Sequence, residues 1–289
     1  MKKYLYLMRV HHYIKNILIF MPLIFSGNLT NPQKFIATLL GMIAFSLVTS
    51  AVYIINDIRD AEKDRMHPTK KNRPIASGAV TPVQAVILMV FLLIAAVVLL
   101  VASEATAGSY VLVFLYLFIN VAYSMGLKDV PLLDVTILAS GFLLRVLFGA
   151  VLTGTEVSEW LYLTVLSGAF YFSLGKRRNE LQKKKDGDTR KVLKYYTRDF
   201  LDKNMYMCLA LLNTFYALWC KDITNAGLKY AMWTVPIVIL ICMKYSLTVE
   251  GNSEGDPVEV LLHDKVLLAL CCVYGVVMVV MLYAGAVLK

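Results

Sequence analysis

Residues 52–78 read VYIINDIRDAEKDRMHPTKKNRPIASG: an apolar run stops at Asn56, and four acids and six bases follow before Gly78. An α-helix carried two turns past Asn56 sets Asp57, Asp60 and Asp64 at i, i+3 and i+7, on one face of a 3.6-residue period. Three carboxylates stacked this way repel one another unless a cation lies among their oxygens. Hard oxygen ligands on one or two carboxylates, completed by a substrate phosphate, are the usual way a protein holds Mg²⁺. The spacing therefore predicts a metal-diphosphate site. The competing reading is a solvated, charged loop at a membrane surface.

The chain that carries this stretch has 289 residues, 58% of them apolar, and a mean hydropathy of +0.64. That is too apolar for a water-soluble domain of this length. Apolar segments centre on residues 17–27, 35–56, 83–102, 109–125, 130–153, 160–175, 204–220, 231–247 and 266–287. About 20 apolar residues cross a hydrocarbon core of about 30 Å. The predicted fold is therefore all-α: a single polytopic domain over 1–289 with about nine transmembrane helices. Segment 17–27 is the weakest, being short with Pro22 inside it, so eight spans plus an interfacial helix is the alternative. The N-terminus has a basic start and an apolar run but no small-residue cleavage site, which predicts a retained first helix rather than a signal peptide. Cys208, Cys220, Cys242, Cys271 and Cys272 have no metal-ligand spacing and are expected to pack as small apolar residues.

With nine spans and the N-terminus inside, nearly every Lys and Arg falls on one side of the membrane. Only Lys34, Lys221, Lys229 and Lys289 fall opposite, and Arg145 lies within a span. The positive-inside bias makes the charged face cytoplasmic and puts the polar segments 57–82 and 176–203 together on it. The net charge of +9 does not point to nucleic acid, because the bases crowd juxtamembrane loops without an interleaved aromatic platform. Anionic headgroups attract such loops by about 1 kcal/mol per base.

A second pole follows the sixth apolar segment, in YFSLGKRRNELQKKK. A helix continued past Gly175 puts Lys176 and Glu180 on one face, with Arg177 about 100° round the axis. An arginine fork and a mobile lysine suit a second anionic group. They also serve as positive-inside determinants, which is the expected role of Lys183, Lys184 and Lys185. Arg145 lies eleven residues beyond Asp134, about 16 Å deeper at 1.5 Å per residue. It is expected either to line a substrate chamber or to make a structural salt bridge or carbonyl cap between helices. Lys15 and Asn16 are placed either to meet a lipid phosphate or to snorkel.

Asn56, Asp57, Asp60 and Asp64 resemble the NDxxDxxxD motif of the UbiA superfamily of intramembrane prenyltransferases. That resemblance implies about nine helices around a cytoplasmic-side cavity, with motifs after helices two and six that bind diphosphate through Mg²⁺. The second motif is typically DxxxD in the quinone and aromatic prenyltransferases. Here the sequence reads Lys176, Arg177, Arg178, Asn179, Glu180, similar to the KRxxE of the polyprenyl-phosphate phosphoribosyltransferase branch, which makes decaprenylphosphoryl-5-phosphoribose. YIKNILIFMPLIFSG, DRMHPTKKNRPIASG, GLKDVPLLDVTILASGFLLRVLFGA and EGDPVEVLLHDKVLL extend the likeness over nearly the whole chain.

The resemblance implies that Asp57, Asp60 and Asp64 bind Mg²⁺ and that Lys176, Arg177 and Glu180 hold the phosphoribosyl part of the donor. Asn56, Lys70, Arg73, Lys128, Lys15 and Arg145 complete the expected substrate-binding set, and Asp57, Asp60, Lys176 and Arg177 the expected catalytic set. Phosphoribosyl pyrophosphate carries a diphosphate at C1 and a phosphate at C5, which asks for one acidic metal site and one basic site. The expected reaction moves 5-phosphoribosyl to a polyprenyl phosphate in the cytoplasmic membrane, with homo-oligomerisation left open. The alternatives are prenyl transfer to an aromatic or quinone precursor, and a lipid-phosphate transporter without chemistry.

Overall fold

The computed structural model describes residues 2–68, 70–182, 191–225, 228, 230–251 and 257–287. Lys183, Lys184, Lys185, Lys229 and Lys289, used above to orient the chain, lie outside the described residues, as do residues 254–256 of EGDPVEVLLHDKVLL.

Among the described residues every regular element is helical. The order is α1 (Lys2–Met8), a 3₁₀ segment (Val10–Phe20), α2 (Met21–Phe25), α3 (Pro32–Arg59), α4 (Ala61–Arg65), a 3₁₀ turn (Lys70–Asn72), α5 (Pro82–Ala102), α6 (Ala107–Met125), α7 (Leu133–Thr153), α8 (Glu159–Gln182), a 3₁₀ turn (Lys191–Tyr195), α9 (Arg198–Asn225), a 3₁₀ turn (Ala231–Thr234), α10 (Val235–Glu250), α11 (Pro257–His263) and α12 (Lys265–Val287).

The starts and stops follow local chemistry. Asn31 accepts from the Lys34 backbone N–H ahead of Pro32, and Thr81 and Gln84 form a reciprocal capping box ahead of Pro82. Both satisfy N–H groups that have no partner within a helix's first turn. Gly126, at φ 143°, stops α6 in a conformation that a side chain would disfavour.

Among the described residues, six helices are long and apolar enough to cross a membrane by length and composition: α3, α5, α6, α7, Ala231–Glu250 and Lys265–Tyr283. The chain is an integral membrane protein. Helices α8 and α9 are also long, at 24 and 28 residues, but carry charges toward their ends. The expected count of about nine transmembrane helices is not confirmed, and the first segment, the weakest of the nine, differs in winding. There residues 10–20 wind as a 3₁₀ helix and only Met21–Phe25 is α-helical.

An eleven-residue 3₁₀ run is uncommon, because its hydrogen bonds are poorer than those of an α-helix. Its period of three puts Tyr13, Asn16 and Ile19 in one row. Tyr13 meets Ser50 Oγ at 2.8 Å and Asn16 donates to Ser46 Oγ at 2.7 Å, two α3 residues one turn apart. Ile19 is buried with Phe45 and Phe148. The partners on α3 thus compensate the tighter winding.

The chain divides into two compact units, residues 1–130 with 144–156, and residues 131–143 with 157–289. The first unit has one core around Ile19, Phe45, Val48, Tyr116 and Phe148. A smaller one around Leu7, Ile54, Ile75 and Val80 packs α1 beneath the loop before α5. The second is built on Tyr171, Leu174, Leu201, Tyr245 and Val249. The cysteines are free, with Cys208, Cys220 and Cys242 buried.

Candidate active site

In the first unit, α3 carries the acid motif to its own C-terminus. The helix closes at Arg59, and Asp60 sits at the joint with α4 (φ −88°, ψ 2°). The Asp60 N–H donates to the Asn56 carbonyl and the Asp64 N–H to the Asp60 carbonyl, so the helical winding persists through the joint. Asp57 and Asp64 are buried, whereas the Asp60 side chain is 27% exposed.

Each carboxylate is met by a base. Asp57 Oδ1 accepts from Arg9 at 2.6 Å and from Arg73 NH1 at 3.3 Å, and the same Arg73 nitrogen donates to Asp64 Oδ2 at 2.7 Å. Asp60 takes Lys128 Nζ on both oxygens, at 2.9 and 3.1 Å. The Asn56 amide oxygen accepts from Ser124 Oγ at 2.9 Å. The sequence-predicted Asn56, Asp57, Asp60, Asp64, Arg73 and Lys128 are therefore joined through direct contacts at the ends of α3 and α6. Lys70 lies in the same loop, its backbone N–H donating to His67 Nδ1.

Arg9 joins this group although sequence reasoning did not select it. Its backbone is left-handed (φ 52°, ψ 49°), and its guanidinium lies 4.7 Å from the Tyr53 ring centroid. The residue stands 48 positions from Asp57, within a basic arm that topology alone accounts for.

The donor set is carboxylate and amide oxygen, which in kind fits a hard divalent cation such as Mg²⁺. In arrangement the oxygens are turned to Arg9, Arg73 and Lys128. Among the described residues no three His, Cys, Asp or Glu side chains gather closely enough to hold a metal ion.

Arg145 is buried in the same unit. Its Nε donates to Asn16 Oδ1 at 2.6 Å and its NH2 to the Tyr116 hydroxyl at 3.2 Å, while its guanidinium lies near the rings of Phe45 and Tyr116. Of the two readings above, these contacts favour the interhelical one, and they extend it to side-chain amide and phenol partners. Lys15, half-buried, precedes Asn16 on the 3₁₀ segment.

In the second unit α8 continues to Gln182, so Lys176, Arg177 and Glu180 lie inside a helix. Arg177 is fully buried. It donates from Nε to Asp134 Oδ2 at 2.5 Å and from NH1 to Glu180 Oε2 at 2.6 Å. Asp134 Oδ1 also accepts from the Tyr196 hydroxyl, whose oxygen accepts from the Leu132 N–H at 2.8 Å. Burial and that bond into a carboxylate push the Tyr196 phenol up to about 12. Lys176 is half-buried on α8, and Arg178 pairs with Asp202. Asp134 and Tyr196 bear on Arg177 from 43 and 19 residues away in sequence, distances that no helical period reaches.

The chain is a member of the UbiA prenyltransferase family, which its residues 17–262 match. A decaprenyl-phosphate phosphoribosyltransferase from Corynebacterium glutamicum is 35% identical over 94% of this chain and 85% of its own. Its namesake from Mycolicibacterium smegmatis is 33% identical over 78% and 74%. A UbiA homologue from Archaeoglobus fulgidus, solved with DMAPP and Mg²⁺, superposes with a TM-score of 0.73 at 18% identity, covering 98% of each chain. That likeness shows the shared fold.

Proposed function

We propose that this protein is a polyprenyl-phosphate phosphoribosyltransferase, moving 5-phosphoribosyl from phosphoribosyl pyrophosphate to a decaprenyl-type phosphate with release of diphosphate. The observation that carries the reading is likeness at 35% identity, over most of both chains, to an enzyme named for that transfer. The Lys176, Arg177, Glu180 sequence, where a second acidic motif would favour a prenyl diphosphate, supports it against prenyl transfer.

In this reading a phosphate oxygen of the lipid attacks ribose C1 as the C1–diphosphate bond breaks, with oxocarbenium character between. The acceptor is already an anion, so positioning and charge stabilisation carry most of the rate without a strong general base. Asp57, Asp60 and Asp64 would hold Mg²⁺, with Asn56 beside them, and the ion supplies charge neutralisation of the leaving diphosphate. Arg73, Lys70 and Lys128 donate to diphosphate oxygens. Lys176 takes the 5-phosphate, with Arg177, held by Asp134 and Glu180, supplying positive charge behind it. Lys15 lies at the acceptor phosphate, and Arg145 holds the 3₁₀ segment that carries it. The site opens on the cytoplasmic face, where the bases concentrate.

The test uses purified protein, a polyprenyl phosphate and phosphoribosyl pyrophosphate labelled with ¹⁴C in the ribose. Label should enter a butanol-extractable lipid only with Mg²⁺. No label across several acceptor lengths, from folded protein, overturns the reading in favour of a prenyl diphosphate donor.

A further inference from the structure

We propose that α1 is an interfacial helix: the bilayer's headgroup–acyl boundary covers its outward face, and that contact holds down the loop 73–80 beside the acid motif. This holds whichever group the protein transfers.

α1 is apolar on two opposite faces. Tyr4, Leu7 and Met8, at i, i+3 and i+4, share one face and pack into the core formed with Ile54, Ile75, Val80 and Ala85. Lys2, Leu5 and Tyr6 repeat that spacing on the other side, where Leu5 and Tyr6 are 49% and 56% exposed. A helix with apolar side chains all round is stable where both sides are covered, in a core or in lipid. Protein covers the inner face here.

The outer face lies at the depth of the membrane surface. Ile54 is within two turns of the end of α3 and Ala85 in the first turn of α5, both helices that cross a membrane by length and composition. Val83 and Ile87, in the first two turns of α5, are exposed, so lipid reaches the depth at which α1 packs. At seven residues α1 is only about 10 Å long, far too short to span. Tyr6, with an apolar ring and a polar tip, suits headgroup depth, and the Lys2 stem can follow the acyl region while its ammonium meets lipid phosphate.

Both ends of α1 are tied to the surroundings of the acid motif. Lys3 Nζ donates to the Ala79 carbonyl at 2.9 Å, and Ser50 Oγ of α3 donates to the Met8 carbonyl at 2.8 Å. Leu7 is fully buried in the core that includes Ile75 and Val80. The loop so held begins at Arg73, which meets Asp57 and Asp64. Its own bonds run from the Gly78 N–H to the Ile75 carbonyl at 3.1 Å and from the Val80 N–H to the Pro74 carbonyl at 2.9 Å. Lipid that seats α1 therefore keeps these bonds closed.

The first measurement is fluorescence of Tyr6→Trp in nanodiscs of phosphatidylcholine and phosphatidylglycerol, one copy per disc, with wild type as the background from Trp160, Trp219 and Trp233. Bromine near the headgroup end of the acyl chains should quench the added emission at least about twofold, and bromine near the chain ends less, as the shallow depth of an interfacial helix requires. Water-like emission without quenching leaves the face to solvent or to another protein and overturns the proposal. The second is hydrogen exchange at Gly78 and Val80 in the double variant Leu5→Ser with Tyr6→Ser, whose altered positions lie outside the core. Those amides should exchange about tenfold faster while α9 keeps its wild-type rates, the signature of local opening. The apolar double variant Leu5→Met with Tyr6→Phe should exchange as wild type does. Unchanged rates at Gly78 and Val80 in the Ser variant, or equally raised rates in the apolar one, overturn the proposal.

Discussion

Arg177 donates from Nε to Oδ2 of Asp134 across 2.5 Å, and neither side chain reaches solvent. Removing one member of a buried pair leaves the other charged in a medium that cannot solvate it, at a cost of about 3–5 kcal/mol. Asp134→Ala should therefore lower stability by roughly that much, toward the low end because Glu180 remains beside Arg177. Thermal unfolding in detergent measures it. The double variant Asp134→Leu with Arg177→Met should recover part of the loss, and a double variant as unstable as the single one refutes the argument.

Under the proposed function, Asp57→Ala should cut Mg²⁺-dependent transfer by about 10²-fold or more, since it would remove an oxygen ligand of the ion that neutralises the leaving diphosphate. On the same reading, Lys176→Ala should act chiefly on KM for phosphoribosyl pyrophosphate, by about tenfold, through loss of the proposed contact to the 5-phosphate. Steady-state kinetics on both variants separate the two roles. Normal transfer by both would sink the site assignment.

A methyl group built on Gly149 of α7 would lie 2.0 Å from the Ile19 carbonyl oxygen, a backbone atom that has no rotamer to escape through. Gly149→Ala should push the 3₁₀ segment off α7 and cost about 1–3 kcal/mol, the usual range for overpacking. The matching control is Gly275→Ala, which has open space at its Cβ position. A drop in melting temperature confined to the first variant is the expected result.

Tyr196 supplies a pH dependence at the alkaline end. Its phenol titrates near 10 when unfolded and is raised to about 12 in the fold. The folded state therefore binds the proton more tightly than the unfolded state. The resulting stabilisation is complete below pH 10 and is lost as pH rises through about 12. Melting curves from pH 8 to 12 should fall more steeply above pH 10 for wild type than for Tyr196→Phe. Parallel curves would show that the hydroxyl does not carry this effect.

Hydropathy located α3, α5, α6 and α7 because each keeps its apolar run long enough to outweigh any local exception. Helical spacing placed Asp57 and Asp64 near enough to share Arg73, whereas Asp60 turns to Lys128. Neither signal reaches across the chain. The contacts of Arg9 with Asp57, Lys128 with Asp60, and Tyr196 with Asp134 join residues 48, 68 and 62 positions apart. Their partners are settled by packing rather than by period. The 3₁₀ winding of Val10–Phe20 was equally out of reach, since it depends on Ser46 and Ser50 offering oxygens in the right places on another helix.

That winding alters what a short apolar stretch can reach. A 3₁₀ helix climbs about 2.0 Å per residue against 1.5 Å for an α-helix. Val10–Phe25 wound throughout as an α-helix would be about 24 Å long, well short of a hydrocarbon layer of about 30 Å. With its first eleven residues drawn out and only five left in α2, the same stretch extends to about 30 Å. Pitch thus makes up what residue count lacks, and a hydropathy window calibrated on α-helical rise undervalues such a segment.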